Sequence, residues 1–198
     1  MEKWWYGILL RSAYALRLRY PAIWAQRWWM GENKAPRSPL PMFNTPEAIV
    51  EYAQNRFRYR SDQGKLGGWM YPLDWITHPE VFQHRLENDQ DRDGDCDDYH
   101  WWAASCLAKI PDVTTIYLLS SGYDGDKGHA TCVFEYRGSW KHLDYRIYPL
   151  SDPNDAPLEV AKRYTRGGRR VDVPWYVFES QSNPWRAVAI GPNGKVPV

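Results

Sequence analysis

Cysteine is scarce in this chain of 198 residues: there are three, an odd number without framework spacing. That argues against a disulfide-built scaffold and for reduced thiols made in a reducing cytoplasm. A surplus of charge is also lacking, with 25 basic against 24 acidic residues, so nothing global draws the chain to nucleic acid. No apolar run is long enough to span a bilayer. Arg11, Arg17 and Arg19 interrupt the apolar stretch that follows Trp4, so the N-terminus does not read as a secretory signal. Internal repeats and low-complexity segments are missing too. The expectation is a soluble protein with one substantial core plus extensions.

What the chain has in abundance is aromatic surface, with 12 tryptophans and 14 tyrosines. Such side chains suit cores and interfaces alike. Five of the tryptophans (Trp4, Trp5, Trp24, Trp28 and Trp29) stand among arginines in residues 1–30. This stretch reads as a helical aromatic arm, broken near Tyr20-Pro21. The arm either packs on its own domain, docks on a partner protein, or lies at a membrane surface through Trp and Arg, the last being the least expected. Pro36, Pro39 and Pro41 mark a linker, giving an arm-plus-linker at 1–42, a main domain at 43–180 and a C-terminal tail at 181–198.

Within the main domain, Thr45-Pro46-Glu47 has the signature of a helix start, with a Thr cap and Pro in the first turn. That helix is expected to run to about Arg56, and Gly64 to Gly68 reads as a loop. A shorter turn-plus-helix spans Trp75 to Gln83, opening at His78-Pro79-Glu80. Asp97 to Lys109 is rich in helix formers and is stopped by Pro111. Thr114 to Ser120 is β-branched and apolar, hence a strand. His129–Tyr136 and Trp140–Tyr148 alternate around Gly138 and read as a hairpin. Val171 to Phe178 is a further strand, placed at an edge by Pro174. Helices followed by a meander imply an α+β fold with the central helix packed on an antiparallel sheet.

The local charge distribution is uneven, and Arg85 to Asp98 carries seven carboxylates against two arginines. In that run, Asp91-Arg92-Asp93-Gly94-Asp95-Cys96-Asp97-Asp98-Tyr99 presents a cysteine at the mouth of the central helix. Backbone N–H groups and the helix dipole favour a thiolate there. Asp93, Asp95, Asp97 and Asp98 oppose it by like-charge repulsion, so an imidazolium or a cation must offset their field. His129, 33 residues on, and Asp144, 15 further, complete the set that a thiol nucleophile needs: a base, and a carboxylate to fix the base's tautomer. A two-residue turn at Arg137-Gly138 pairs Thr131 with Asp144 and makes His129 and Asp144 diagonal neighbours on one face. Ala130, Cys132, Phe134, Leu143 and Tyr145 then form the apolar face. A three-residue turn would put His129 and Asp144 on opposite faces. Cys106 and Cys132 read as core residues. His142 points to the same face as His129 but lies further along the hairpin. His78, His84 and His100 read as surface or core residues.

Asp89-x-Asp91-x-Asp93-Gly94 also matches the opening of a calcium loop, but His100 stands where an EF-hand requires a bidentate Glu. The remaining readings of this run are a looser calcium site beside Cys96 and a solvated acidic loop.

Trp75-Ile76-Thr77-His78-Pro79-Glu80 followed by Gly94-Asp95-Cys96-Asp97-Asp98-Tyr99 resembles the bacterial transglutaminase-like cysteine proteinases, within the papain-like and transglutaminase-like superfamily. The resemblance covers about Trp69 to Tyr148. It implies Cys96 as nucleophile, His129 as base and Asp144 as orienter, in a cysteine peptidase or amide hydrolase acting on a protein or peptide. The same fold also serves transglutaminases and deamidases. The resemblance requires no cofactor, but implies that calcium can bind through Asp95 and Asp97. His100-Trp101-Trp102 stand where the family's block usually continues with small residues, and are expected to crowd the cleft. The Trp75 indole is a candidate oxyanion donor beside the Cys96 N–H. Small phage-encoded proteins can carry such domains, so a non-enzymatic virion or assembly role is the rival expectation.

Overall fold

A computed structural model of the chain describes residues 34–60, 77–88, 92–124, 127–156, 159–160, 163, 175–179 and 187–191. The arm at 1–30, the loop at 64–68, Trp75, Asp89 and Asp91 lie outside the described residues. The helices are α1 (Pro46–Gln54), α2 (Pro79–Asn88) and α3 (Cys96–Leu107). The strands are β1 (Arg58–Tyr59), β2 (Asp93–Gly94), β3 (Val113–Asp124), β4 (Lys127–Tyr136), β5 (Ser139–Leu143), β6 (Ile147–Pro149), β7 (Trp175–Glu179) and β8 (Ala187–Gly191). Six strands form one antiparallel sheet in the order β6-β5-β4-β3-β7-β8, and β1 pairs with β2 in a two-residue parallel contact. The class is α+β, with helices packed on an antiparallel sheet. Among the described residues no helix is long and apolar enough to cross a membrane.

α1 begins as its sequence dictates. Thr45 is extended, and its hydroxyl accepts the Ala48 N–H at 3.3 Å, satisfying a first-turn donor. Ile49, Val50 and Ala53, spaced on one helical face, turn inward. α2 starts at Pro79 but runs to Asn88, five residues beyond the expected end, because Phe82 and Leu86 on one face are both buried in the core.

The three helices cover one face of the sheet. Trp102 of α3 is fully buried there with Phe82, Leu86, Ile116, Phe134 and Leu143. Its indole N–H donates to Gln83 Oε1 at 2.9 Å, and the Gln83 amide donates to Tyr52 Oη at 2.8 Å, so one buried amide joins all three helices. A buried indole needs such an acceptor. Trp101 packs its ring against His78 at 5.5 Å. Trp102 therefore lies in the core between helices and sheet. Tyr117, Leu119 and Val133 alternate to the other face and meet Ala156.

The β4–β5 hairpin has the even register. Cys132 pairs with Leu143 and Tyr136 with Ser139, so the turn is Arg137-Gly138. Their φ values of 52° and 73° are the two left-handed residues of a two-residue hairpin turn, which suits the twist of the strands.

Several boundaries differ from expectation. The second hairpin strand does not continue to Tyr148. It breaks at Asp144–Arg146, where Asp144 N–H donates to Arg146 O at 2.8 Å and the chain turns back as β6. β3 is longer than Thr114–Ser120, since it pairs with β4 throughout. β7 is an interior strand, not an edge, since it pairs with β3 on one side and β8 on the other; Val171 to Pro174 of the expected strand lie outside the described residues. β8 also places part of the 181–198 tail inside the sheet. Part of the linker is likewise pinned down, as Ser38 N–H donates to Glu80 O at 3.0 Å and Lys109 Nζ to Leu40 O at 2.9 Å.

Candidate active site

The chain reaches Cys96 through a fixed approach. β2 pairs with β1, and Arg60 Nη1 meets Asp93 Oδ2 at 2.8 Å. Gly94 has no room for a side chain, because an added Cβ would stand 2.7 Å from Phe82 Cε2 and 3.0 Å from Asp98 Oδ2. Asp95 is the helix cap, and with Asp98 it makes the reciprocal pair of a capping box. Asp98 is fully buried, and its carboxylate accepts the Thr77 N–H and, at 3.3 Å, the Asp95 N–H. Gly94, Asp95 and Asp98 thus each have a steric or hydrogen-bonding reason for their place around the thiol.

Cys96 is the first residue of α3, one position further in than the sequence reading placed it, and is half-buried. The other two thiols are buried. Burial pushes Cys106 up to about 12 and Cys132 further still, as a low-dielectric site disfavours thiolate. No disulfide joins any of the three. The acidic field around Cys96 is partly answered, since Asp93 faces a guanidinium and Asp98 holds two backbone donors.

His129 and Asp144 meet, with Nε2 to Oδ1 at 2.7 Å and both residues buried. A carboxylate only accepts, so the neutral imidazole carries its proton on Nε2 and leaves Nδ1 as the basic atom. Burial alone would push the Asp144 carboxyl up. The His129 hydrogen bond and the histidine charges around it outweigh that and hold it well below the usual carboxylate range.

The His129 ring lies 5.7 Å from that of His100 and 5.9 Å from that of Tyr145. His100 Nδ1 contacts the Cys96 carbonyl oxygen. This run of contacts sets the His129–Asp144 pair beside the first turns of the cysteine-bearing helix. Tyr145 is left-handed at φ 54°, uncommon for an aromatic residue. Its ring packs with Phe57, Tyr99, His100 and His129, which keeps it in that conformation.

No protein-family model and no curated protein matches this chain.

The acidic loop was the other candidate. Carboxylate oxygens of Asp95, Asp97 and Asp98 lie within 4.8 Å of one another. Asp98 is already committed to two backbone N–H groups, and calcium takes six to eight oxygens. Among the described residues, Asp95, Asp97 and Asp98 would need backbone carbonyls or water to complete such a shell.

His100, Tyr145 and Asp98, expected only as core or helix-start residues, also contribute here, and so does Arg163. Arg163 donates to Asp144 Oδ2 at 2.8 Å from far along the chain, and nothing in its local sequence signals that.

Proposed function

We propose that this chain is a cysteine peptidase or related amide hydrolase of papain-like, transglutaminase-like architecture. In this reading Cys96 is the nucleophile, His129 the base and Asp144 the residue that orients it. The observation that carries the proposal is the buried His129 Nε2–Asp144 Oδ1 contact beside the N-terminal turns of α3. It fixes the tautomer with Nδ1 able to take a proton, and it stands near a half-buried thiol at a helix N-terminus.

His129 Nδ1 takes the Cys96 Sγ proton, and the thiolate attacks the amide carbonyl carbon. The oxyanion is held by the Cys96 backbone N–H, a first-turn donor that the helix does not itself use. The C–N bond then breaks, the leaving amine takes the proton from His129, and a thioester remains on Cys96. Water, deprotonated by His129 Nδ1, attacks that thioester; the C–S bond breaks, the acid leaves, and His129 returns the proton to the Cys96 thiolate. An amine in place of water would give transamidation by the same residues. This chemistry calls for no metal, the substrate is a protein or peptide, and Trp75 remains the candidate second oxyanion donor.

The test is the alkylation rate of each cysteine across pH, followed by mass spectrometry, in the wild type and in His129→Ala. The expected result is that Cys96 labels at least tenfold faster than an ordinary thiol at neutral pH, of which only a few per cent is thiolate. His129→Ala should abolish that advantage. Equal, ordinary rates in both proteins would overturn the reading and leave a structural or assembly role for the fold.

A further inference from the structure

We propose that Arg163 is a positioning residue for the His129–Asp144 pair, an inference that rests on the cysteine-hydrolase reading. Asp144 is 4% exposed and its two oxygens are divided. Oδ1 takes His129 Nε2 at 2.7 Å, and Oδ2 takes Arg163 Nη1 at 2.8 Å. A buried carboxylate held on one oxygen can still swing about its terminal torsion, which is broad and two-fold. Anchoring the second oxygen removes that freedom and aims Oδ1 at the imidazole.

The guanidinium is itself fixed. Its central carbon lies 3.6 Å from the centroid of the Tyr148 ring, so the side chain is held between an aromatic face and a carboxylate. Tyr148 belongs to β6, and Asp144 opens the turn between β5 and β6. One short hairpin therefore carries both the acid and the platform for its clamp. Lysine could supply the charge, but not a planar fork that stacks and donates together.

The consequence falls on the tautomer of His129. With Asp144 aimed, the neutral ring keeps its proton on Nε2. With Asp144 free to turn away, the two neutral forms mix, and the fraction protonated on Nδ1 cannot accept a proton from Cys96.

The experiment uses the full chain labelled with 15N-histidine, with His129 assigned by its loss in His129→Gln. Long-range 1H–15N spectra of the neutral ring should show one tautomer in the wild type, protonated on Nε2. Arg163→Ala should give a mixture and slow Cys96 alkylation about tenfold, and Arg163→Lys should recover part of both. Tyr148→Leu keeps both ionic partners and removes the platform, so it should shift the tautomer the same way by less. An unchanged tautomer and rate in a folded Arg163→Ala overturns the proposal. If that variant unfolds, as labelling of Cys106 and Cys132 would report, an unchanged Tyr148→Leu overturns it instead. A wild-type Cys96 of ordinary reactivity, with a tautomer that still depends on Arg163, would sink the hydrolase reading alone.

Discussion

The two ends of α3 each carry a cysteine, and the helix treats them in opposite ways. Cys96 opens the helix, half-buried, where the helix dipole favours negative charge. Cys106 lies in its last turn at 0% exposure, packed with Leu107 and Trp102 in the core, and its thiol is pushed up to about 12. The same side chain on the same element has two environments, set by position and burial. What separates them is the loop that delivers Cys96, half-buried, to the helix start, and the core that encloses Cys106.

The largest expected effect is on the contrast itself. In native protein, Cys96 should alkylate and Cys106 and Cys132 should not, while in strong denaturant all three should converge on ordinary thiol rates. Peptide mapping after labelling checks this. Convergence in native protein would mean that the helix ends do not differ.

A second way to break the contrast is to insert one residue between Arg137 and Gly138. The strand beyond the turn then slips, its buried set is driven to the wrong face, and Asp144 leaves His129. Cys96 labelling should drop to the level of His129→Ala, with a large loss of stability.

Gly94→Ala acts on the delivery loop. The new methyl would press on the Phe82 ring and on Asp98, an overpacking cost of about 1–3 kcal/mol. For a chain of this size, Tm should fall by roughly 2–4 °C per kcal/mol in differential scanning fluorimetry. Cys96 labelling should weaken while Cys106 stays protected. An unchanged Tm would show that the loop is looser than its contacts imply.

Acidification tests the buried histidines around the pair. Burial lowers His100 to about 3 and His142 to about 4. Neither ring nitrogen of His142 meets a hydrogen-bond partner among the described residues. Both groups bind protons more readily when unfolded, with an ordinary value near 6.5. Stability is therefore complete above about pH 6.5 and falls as the pH drops toward 4, by at most about 1.4 kcal/mol per pH unit for each histidine. Asp144, held low when folded, adds a loss in the same direction at still lower pH. Urea midpoints at pH 7 and pH 5 should show the fall, and His142→Gln should flatten it. The smallest effect is that of calcium, which should leave Tm and Cys96 labelling nearly unchanged. A clear rise in Tm would restore the acidic loop as a cation site.

Much of this was legible locally. Thr45-Pro46 specified its own helix cap, and Arg137-Gly138 specified a turn whose length determines the whole His129–Asp144 relation. The Gly94–Asp98 block was readable as a helix entry because capping is a local interaction. The features that escaped involve partners distant in sequence. β1 and β2 are two residues each and have no periodicity to detect. β7 owes its interior place to β8, a short run, Ala187–Gly191, rich in alanine and glycine and weak in strand signal. Arg163 reaches Asp144 across a hairpin, and an arginine near a chain's surface carries no mark of its target. Tyr145 takes a left-handed backbone because five aromatic or imidazole rings surround it, a tertiary effect that overrides a local preference.

The hairpin that carries His129 and Asp144 also sets a rule for recognising kin of this chain. The two stand 15 residues apart across a two-residue turn. Evolution can lengthen or shorten that interval by one residue in each arm, two at a time, and keep them facing. A change by a single residue separates them. Relatives that keep this turn should therefore be sought by an odd interval between histidine and aspartate, a parity that survives after the surrounding residues have diverged beyond recognition.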